Sequence, residues 1–488
     1  MNILFKITAI AVSYYAIAFA RGSDNNKVSP ASAQLRVPPQ SVFIDPRSFA
    51  VLGASGLFRT DSFIEFFNPT NTTPPFFQIF DPGFLSILGS NPSLNRVAHN
   101  VSFAFAHEAP IYNHPTDEVF FASNDGGPLG FSDLYHNNQV GKISMGAVET
   151  ALQGLASEGN ASGVVEVPVT EVGGEAVVGA ASRCGGLSPL FFPFFSLLAV
   201  GRLWRRMPFT NLFLFMPPTL VLTNPPHGLP RFASYSHVNR RHLNSSLRMT
   251  NGGTGPYKSS LVLITSGRGP LPPSIVLVNP AAPHNTTVVL DNFFGRQFNS
   301  LNDIKVHPKS GAFFFTDVTY GFLNHFRSAP LMPNQVYRFD PQTATLRVIA
   351  TDFDRPNGIA FTPNGKIAYI ADTGAAGGFL GNNQTEPATI YAFDVEPHTQ
   401  TFLNRRVFAY VDAGVPDGVQ VDAKGNVYSG CGDGVHVWSP QGTLLGKFFL
   451  GTTSANMVFA GDGRLVILAE TSVFVAKIAA QEGKIAFG

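Results

Sequence analysis

From Asn302 to the C-terminus, apolar and polar positions alternate in short runs separated by glycine-bearing turns. Four of these runs align: NDIKVHPKSGAFFFTD from Asn302, NGIAFTPNGKIAYIADT from Asn357, DGVQVDAKGNVYSGCGD from Asp417 and NMVFAGDGRLVILAE from Asn456. Each predicts a polar opening residue, an alternating strand, a Gly turn flanked by Lys, Asn, Asp or Arg, and a second alternating strand. The starts lie 55, 60 and 39 residues apart, which suits one four-stranded propeller blade and not a helical solenoid. QVYRFDP at 335–341 and TIYAFDVEP at 389–397 predict outer strands between them. EAPIYNHPTDEVFFASND from Glu108 has the same strand-turn-strand form, and LVLIT at 261–265 and SIVLVNP at 274–280 are strand-like. No helical period of comparable length is present, so the expected fold is an all-β propeller.

The opening polar residues carry the chemistry. The innermost strands of a propeller run along its central channel, so Glu108, Asn302, Asn357 and Asp417 are expected to converge at one mouth. Taken singly, each is an ordinary turn cap before a strand; in register, they form an oxygen cage. Two carboxylates and two carboxamide oxygens suit Ca²⁺ first, with Zn²⁺, Mg²⁺ or Mn²⁺ accepted if the geometry permits.

Composition narrows the partners. Lys and Arg number 33 against 32 Asp and Glu, and charged residues make up 13%, about half the usual share of roughly 25%. No basic surface for nucleic acid follows from that balance. Gly (47) and Pro (37) are abundant, as turn-linked short strands require. Two cysteines, Cys184 and Cys431, exclude a disulfide scaffold or a multi-cysteine zinc site, and nothing in the sequence pairs them.

Residues 1–20 have a lysine, an apolar run from Ile7 to Phe19 and Ala18-Phe19-Ala20 as a small-x-small end, the pattern of a secretory signal peptide. Residues 21–40 are expected to be a linker, the propeller to occupy 41–488, and the protein to be secreted. Sequons at Asn71, Asn100, Asn160, Asn244, Asn285 and Asn383 accord with that address. A tract over about 172–235 breaks the pattern with LSPLFFPFFSLLAVGRLWRRMPFTNLFLFMPPTLVL, and no Asp or Glu occurs from Ala176 through Leu290. Prolines 189, 193, 208, 217 and 218 cut its apolar stretches below the length of a membrane span. We expect an irregular insert in an early blade, either a genuine insertion or the product of a mispredicted gene model such as a translated intron, and not a paired membrane insertion.

At HEAPIY (107–112), FGRQFNSLNDIKVHP (294–308), NQVYRFDP (334–341), RPNGIAFTPNG (355–365) and VPDGVQVDAKGNVY (415–428) the chain resembles the senescence marker protein/gluconolactonase/luciferin-regenerating enzyme family, most closely its secreted fungal lactonohydrolases. The resemblance runs from about Ser41 to the C-terminus, apart from the insert. It implies a six-bladed propeller, one divalent metal in the channel mouth and hydrolysis of a small-molecule lactone. By motif, the family's metal-binding glutamate, asparagine and aspartate fall on Glu108, Asn357 and Asp417. Its further asparagine near metal and substrate falls on Asn302. The insert departs from the family pattern where an early blade is expected.

The expected function is a hydrolase of cyclic carboxylic esters, acting on an aldonolactone or a pantolactone-like substrate. Asp417 is expected to act as general base on water, and Asn302 to orient substrate. Asp303, Asp317 and Asp372 also follow strands, with strand-end roles at least as expected. His107, His114 and His136 offer a histidine base, but without any His-x-x-x-His metal spacing. The absence of a Gly-x-Ser-x-Gly elbow argues against a serine hydrolase. NGGTG (251–255) and TGAAGG (373–378) lack a phosphate loop's context and are expected to be turns. The alternative is a non-catalytic binding propeller or a strictosidine-synthase-like enzyme on the same fold.

Overall fold

The computed structural model describes residues 37–157, 164–172, 176–178 and 247–483. The chain divides into two units, Met1–Val37 and Pro38–Gly488, and the strands among the described residues lie in the second. They form a six-bladed β-propeller. The innermost strands are Glu108–Asn113, Thr250–Tyr257, Leu301–Val306, Pro356–Phe361, Val419–Val421 and Asn456–Phe459, numbered here as blades 1 to 6. Each inner strand packs against the next, and blade 6 packs against blade 1, so the six close a ring around the channel.

Blade 6 is completed from the far end of the chain. Its three C-terminal strands receive Ser93–His99 as the fourth, antiparallel to Ser472–Lys477. Two further N-terminal segments, Phe76–Ile79 and Ser41–Phe43, extend the outer edge of blade 5.

A blade sandwiched between two others is buried on both faces, which is why some strands are apolar throughout. Phe313, Phe314 and Phe315 are all fully buried. Phe314 meets Phe361 and Phe402 of blade 4 at 4.9 and 5.7 Å, while Phe313 meets Tyr257 of blade 2 at 4.9 Å on the opposite face.

Register shifts between Glu108 and Ile111, Leu301 and Ile304, and Pro356 and Ile359 place a β-bulge at the start of three inner strands. Such bulges leave backbone groups out of the ladder and re-aim side chains. The freed amides are satisfied locally: Asp303 Oδ1 accepts from Ile304 N at 2.7 Å and Oδ2 from Ile359 N at 3.1 Å, tying blade 3 to blade 4. Close approach of neighbouring inner strands needs glycine after the opening polar residue. A Cβ on Gly358 would stand 2.2 Å from Asp417 O, and one on Gly418 2.1 Å from Asn456 Cγ.

Blade 5 buries an ion cluster. Lys447 Nζ donates to Asp433 Oδ2 at 2.9 Å and Asp412 Oδ1 at 2.7 Å, and His436 Nε2 lies 2.6 Å from Asp433 Oδ1. Arg59 from the N-terminal segment reaches Asp412 Oδ2 at 2.9 Å. Cys431 is buried in the same blade; Cys184 lies outside the described residues.

Three expectations need correction. The NGGTG piece lies inside the inner strand of blade 2, not in a turn; Gly253 packs against Ala109, Ile111 and Leu263, where a larger side chain would clash. TGAAGG does lie in a loop. A helix, Met145–Ser157, precedes the fourth strand of blade 1, although no helical period stood out; Met145 and Val148, three apart, give it a short buried face. All six blades have their four strands without residues 179–246, which follow the strands of blade 1 and precede blade 2. The Phe/Leu/Pro tract therefore replaces no blade, and it lies outside the described residues, as do the leader and most of the linker. Among the described residues no helix is long and apolar enough to cross a membrane.

Candidate metal centre

One polar residue opens the inner strand of every blade: Glu108, Asn251, Asn302, Asn357, Asp417 and Asn456. All but Asp417 are at most 5% exposed, and Asp417 is partly exposed at the channel end. Burying an oxygen without a hydrogen-bond donor costs about 1–3 kcal/mol, so such atoms are rare unless a ligand satisfies them. Here Asn251 Oδ1, Asn302 Oδ1, Asn357 Oδ1 and Asp417 Oδ1 are all buried without a partner. Four orphaned oxygens at equivalent positions around one ring fit a cation.

The charged part of the ring comes from blades 1 and 5. Ligand atoms of His107, Glu108 and Asp417 lie within 4.8 Å of one another. The bulge at Glu108 is helped by Ala109, which holds φ +53°. Asn456 Nδ2 donates to Glu108 Oε2 at 2.8 Å, fixing the carboxylate across the junction of blades 6 and 1. Burial, with the Asp417 charge beside it, pushes the Glu108 carboxyl well above its ordinary range. Burial likewise raises Asp417 to about 6, against the pull of His107.

Around this lies a second layer of acids. Asp125 Oδ2 accepts from Ser266 Oγ at 2.9 Å and Asn251 Nδ2 at 3.2 Å, and burial raises it to about 7. His107 Nδ1 lies 2.7 Å from Glu470 Oε1, whose other oxygen accepts from Asn124 Nδ2 at 3.0 Å. Burial alone would lower the His107 ring, but Glu470, then Glu108 and Asp417, outweigh it and hold the ring well above its ordinary value.

The other candidates separate cleanly. Asp317 accepts from the amides of Asn299 and Ser300, and Asp372 from those of Asp354 and Arg355, so both are clamps on the segment entering an inner strand. Asp303 is the inter-blade tie described above. His114 is exposed at the other end of the inner strand of blade 1, beside a cavity it lines with Tyr112 and Arg464. His136 is exposed and paired with Asp133 at 3.0 Å.

Sequence reasoning did not assign Asn251, Asn456, Asp125 or Glu470 to the site. Asn456 opens one of the four aligned segments, which was a usable signal. Asn251 was hidden by its glycines, and nothing local marks Glu470, 363 residues from His107.

Comparison with known proteins places this geometry. A family described as SMP-30/gluconolactonase/LRE-like region matches residues 233–471. Lactonohydrolase oryL of Aspergillus oryzae is 31% identical over 191 residues, covering 37% of this chain and 44% of that protein. A gluconolactonase of Zymomonas mobilis is 33% identical over 167 residues, covering 33% of this chain and 44% of that one. The chain thus spans less than half the length of these curated relatives. Among solved structures, a gluconolactonase of Xanthomonas campestris superposes with a TM-score of 0.52 at 19% identity, covering 84% of this chain and 96% of that one, a likeness of fold.

Proposed function

We propose that this chain, which belongs to the SMP-30/gluconolactonase/LRE-like family, is a divalent-metal-dependent lactonase that opens an aldonolactone or pantolactone-like ring to the hydroxy acid. The observation that carries the reading is the ring of buried, unpartnered oxygens on Asn302, Asn357 and Asp417 beside the Glu108 carboxylate. The names of its relatives, a lactonohydrolase and a gluconolactonase, support the substrate class.

Glu108, Asn357 and Asp417, with Asn302, would hold the ion, Ca²⁺ being the first fit for an all-oxygen set. Bound there, a divalent cation polarises a carbonyl and stabilises developing negative charge. Asp417, a carboxylate at the edge of the ion, takes the proton of the attacking water. Asn302 orients the lactone. Water adds to the carbonyl carbon, the ring C–O bond breaks, and the proton held on Asp417 passes to the departing alkoxide. Asn456 positions Glu108 through its carboxamide.

The test is hydrolysis of a panel of aldonolactones and pantolactone, before and after chelation and on adding back Ca²⁺ or Zn²⁺. Activity removed by chelator and restored by metal is the expected result. Metal-loaded protein inert on every lactone would leave a binding propeller.

Stability should also report the site. In metal-free protein Asp417 keeps its proton up to about pH 6, whereas the unfolded chain releases it near 3.8. The folded state thus holds the extra proton, and stability falls as pH rises between those values, by about 3 kcal/mol at full effect. Glu108 acts in the same direction. A bound cation offsets both, so the melting-temperature gap between metal-loaded and chelated protein should widen from pH 4.5 to 7.5. A gap independent of pH would argue against these two carboxylates as ligands.

We also assign the protein an extracellular address, from its leader-like first 20 residues. Asn71, Asn285 and Asn383 of its sequons are exposed, as glycan attachment requires.

A further inference from the structure

We propose that His107 is a ligand of the same ion through Nε2, held by Glu470, and that the centre therefore takes a borderline ion such as Zn²⁺ ahead of Ca²⁺. This rests on the metal-centre reading above and changes the donor set from all-oxygen to mixed nitrogen and oxygen.

The first ground is distance. Ligand atoms on one ion at about 2.0–2.6 Å stand at most about 5 Å apart, and a ring nitrogen of His107 and one carboxylate oxygen each of Glu108 and Asp417 are within 4.8 Å of one another. The second is the ring's other side. Nδ1 faces Glu470 Oε1 at 2.7 Å, and Asn124 Nδ2 pins Oε2 at 3.0 Å. A carboxylate that accepts from Nδ1–H selects the tautomer with a free lone pair on Nε2, the arrangement that metal-bound histidines show almost without exception. Among the described residues Nε2 makes no hydrogen bond, so that nitrogen is free to meet an ion once it gives up its proton.

The third ground is that the backbone builds this pair on purpose-fit geometry. Ala106 N donates to Glu470 O at 2.9 Å and His107 N to Ala122 O at 2.9 Å, so both side chains stand on paired backbone where blade 6 meets blade 1. Glu470 is the first residue of the two-residue turn joining Arg464–Ala469 to Ser472–Lys477, with φ +58°, so the hairpin fixes where its side chain starts. The fourth is independent of histidine: Asn302 Oδ1 and Asn357 Oδ1, on residues 4% and 5% exposed, are without partners in the same ring. An imidazole nitrogen among such oxygens favours Zn²⁺, because Ca²⁺ takes oxygen ligands.

The experiment uses the full chain, stripped with chelator, and measures Zn²⁺ and Ca²⁺ affinity by calorimetry for wild type, His107→Gln and Glu470→Gln. In parallel, Mn²⁺-loaded wild type is examined for nitrogen coupling by pulsed electron paramagnetic resonance. We expect Zn²⁺ to bind at least about tenfold tighter than Ca²⁺, and both variants to lose about ten- to hundredfold in Zn²⁺ affinity with Ca²⁺ affinity unchanged. The Mn²⁺ spectrum should show a directly bound nitrogen. Tighter Ca²⁺ binding, unchanged Zn²⁺ affinity in His107→Gln, or no nitrogen coupling overturns the inference and leaves the oxygen-cage reading standing. Failure of wild type to bind any divalent ion overturns both. If a variant does not fold, as its Ca²⁺ titration would reveal, the wild-type spectrum decides.

Discussion

Exchange of Asp417 for alanine is expected to abolish divalent-metal binding and to lower kcat/KM on the responsive lactone by at least about a thousandfold, equivalent to about 4 kcal/mol of transition-state stabilisation. The residue fills two roles at once. Its carboxylate lies with Glu108 and His107 in the ring, and in the proposed mechanism it is also the base that receives the water proton. Asp417→Asn separates them. It keeps an oxygen donor of the same length but loses the charge and the ability to accept a proton. Metal should therefore bind, more weakly, while kcat drops by about 10²–10⁴. Calorimetry with the metal and initial rates on the two variants decide the matter. A variant Asp417→Asn with wild-type kcat would remove Asp417 as base and shift attention to its neighbours.

The second large effect concerns stability far from the site. Asp433→Ala should destabilise the propeller by about 3–5 kcal/mol, since it strands Lys447 inside blade 5 with only the partly exposed Asp412 as counter-ion. Burial would raise the Asp433 carboxyl, but His436 and Lys447 overcome that and hold it far below its ordinary range. The double replacement Asp433→Leu with Lys447→Met should recover much of the loss, because exchanging a buried ion pair for apolar residues of like volume is often neutral. Urea midpoints of the three proteins test this. Equal midpoints for Asp433→Ala and wild type would mean that the cluster is reached by water.

How far the sequence discloses this molecule depends on where its strands sit. Inner pairs beginning at Glu108, Asn302, Asn357, Asp417 and Asn456 are legible, because each combines an alternating run with a turn of recognisable chemistry. Blade 2 is not: Thr250–Tyr257 carries Gly253 where its neighbours carry Ile304, Ile359 and Val419, since Ala109, Ile111 and Leu263 already fill that space. The helix Met145–Ser157 escapes notice because it buries only a narrow stripe. At the site, residues that open strands follow the repeat and are visible, whereas Glu470 and Asp125 act through neighbours joined only by closure of the ring. His107 is legible as a histidine beside Glu108, but its partner is not, and the partner is what gives the ring its orientation.

The closing of blade 6 by Ser93–His99 has a consequence for how the molecule must be made. Asn456, which fixes Glu108, lies 348 residues downstream of it. A chain emerging from the ribosome therefore displays the Glu108 carboxylate long before the residue that steadies it exists. No N-terminal fragment can assemble the centre, and pairing of such distant segments is intrinsically slow. The early blades must wait with their edges open until the last strands arrive, a period in which they are exposed to aggregation. Premature termination anywhere before about residue 456 should therefore yield insoluble material and not a partly folded soluble propeller.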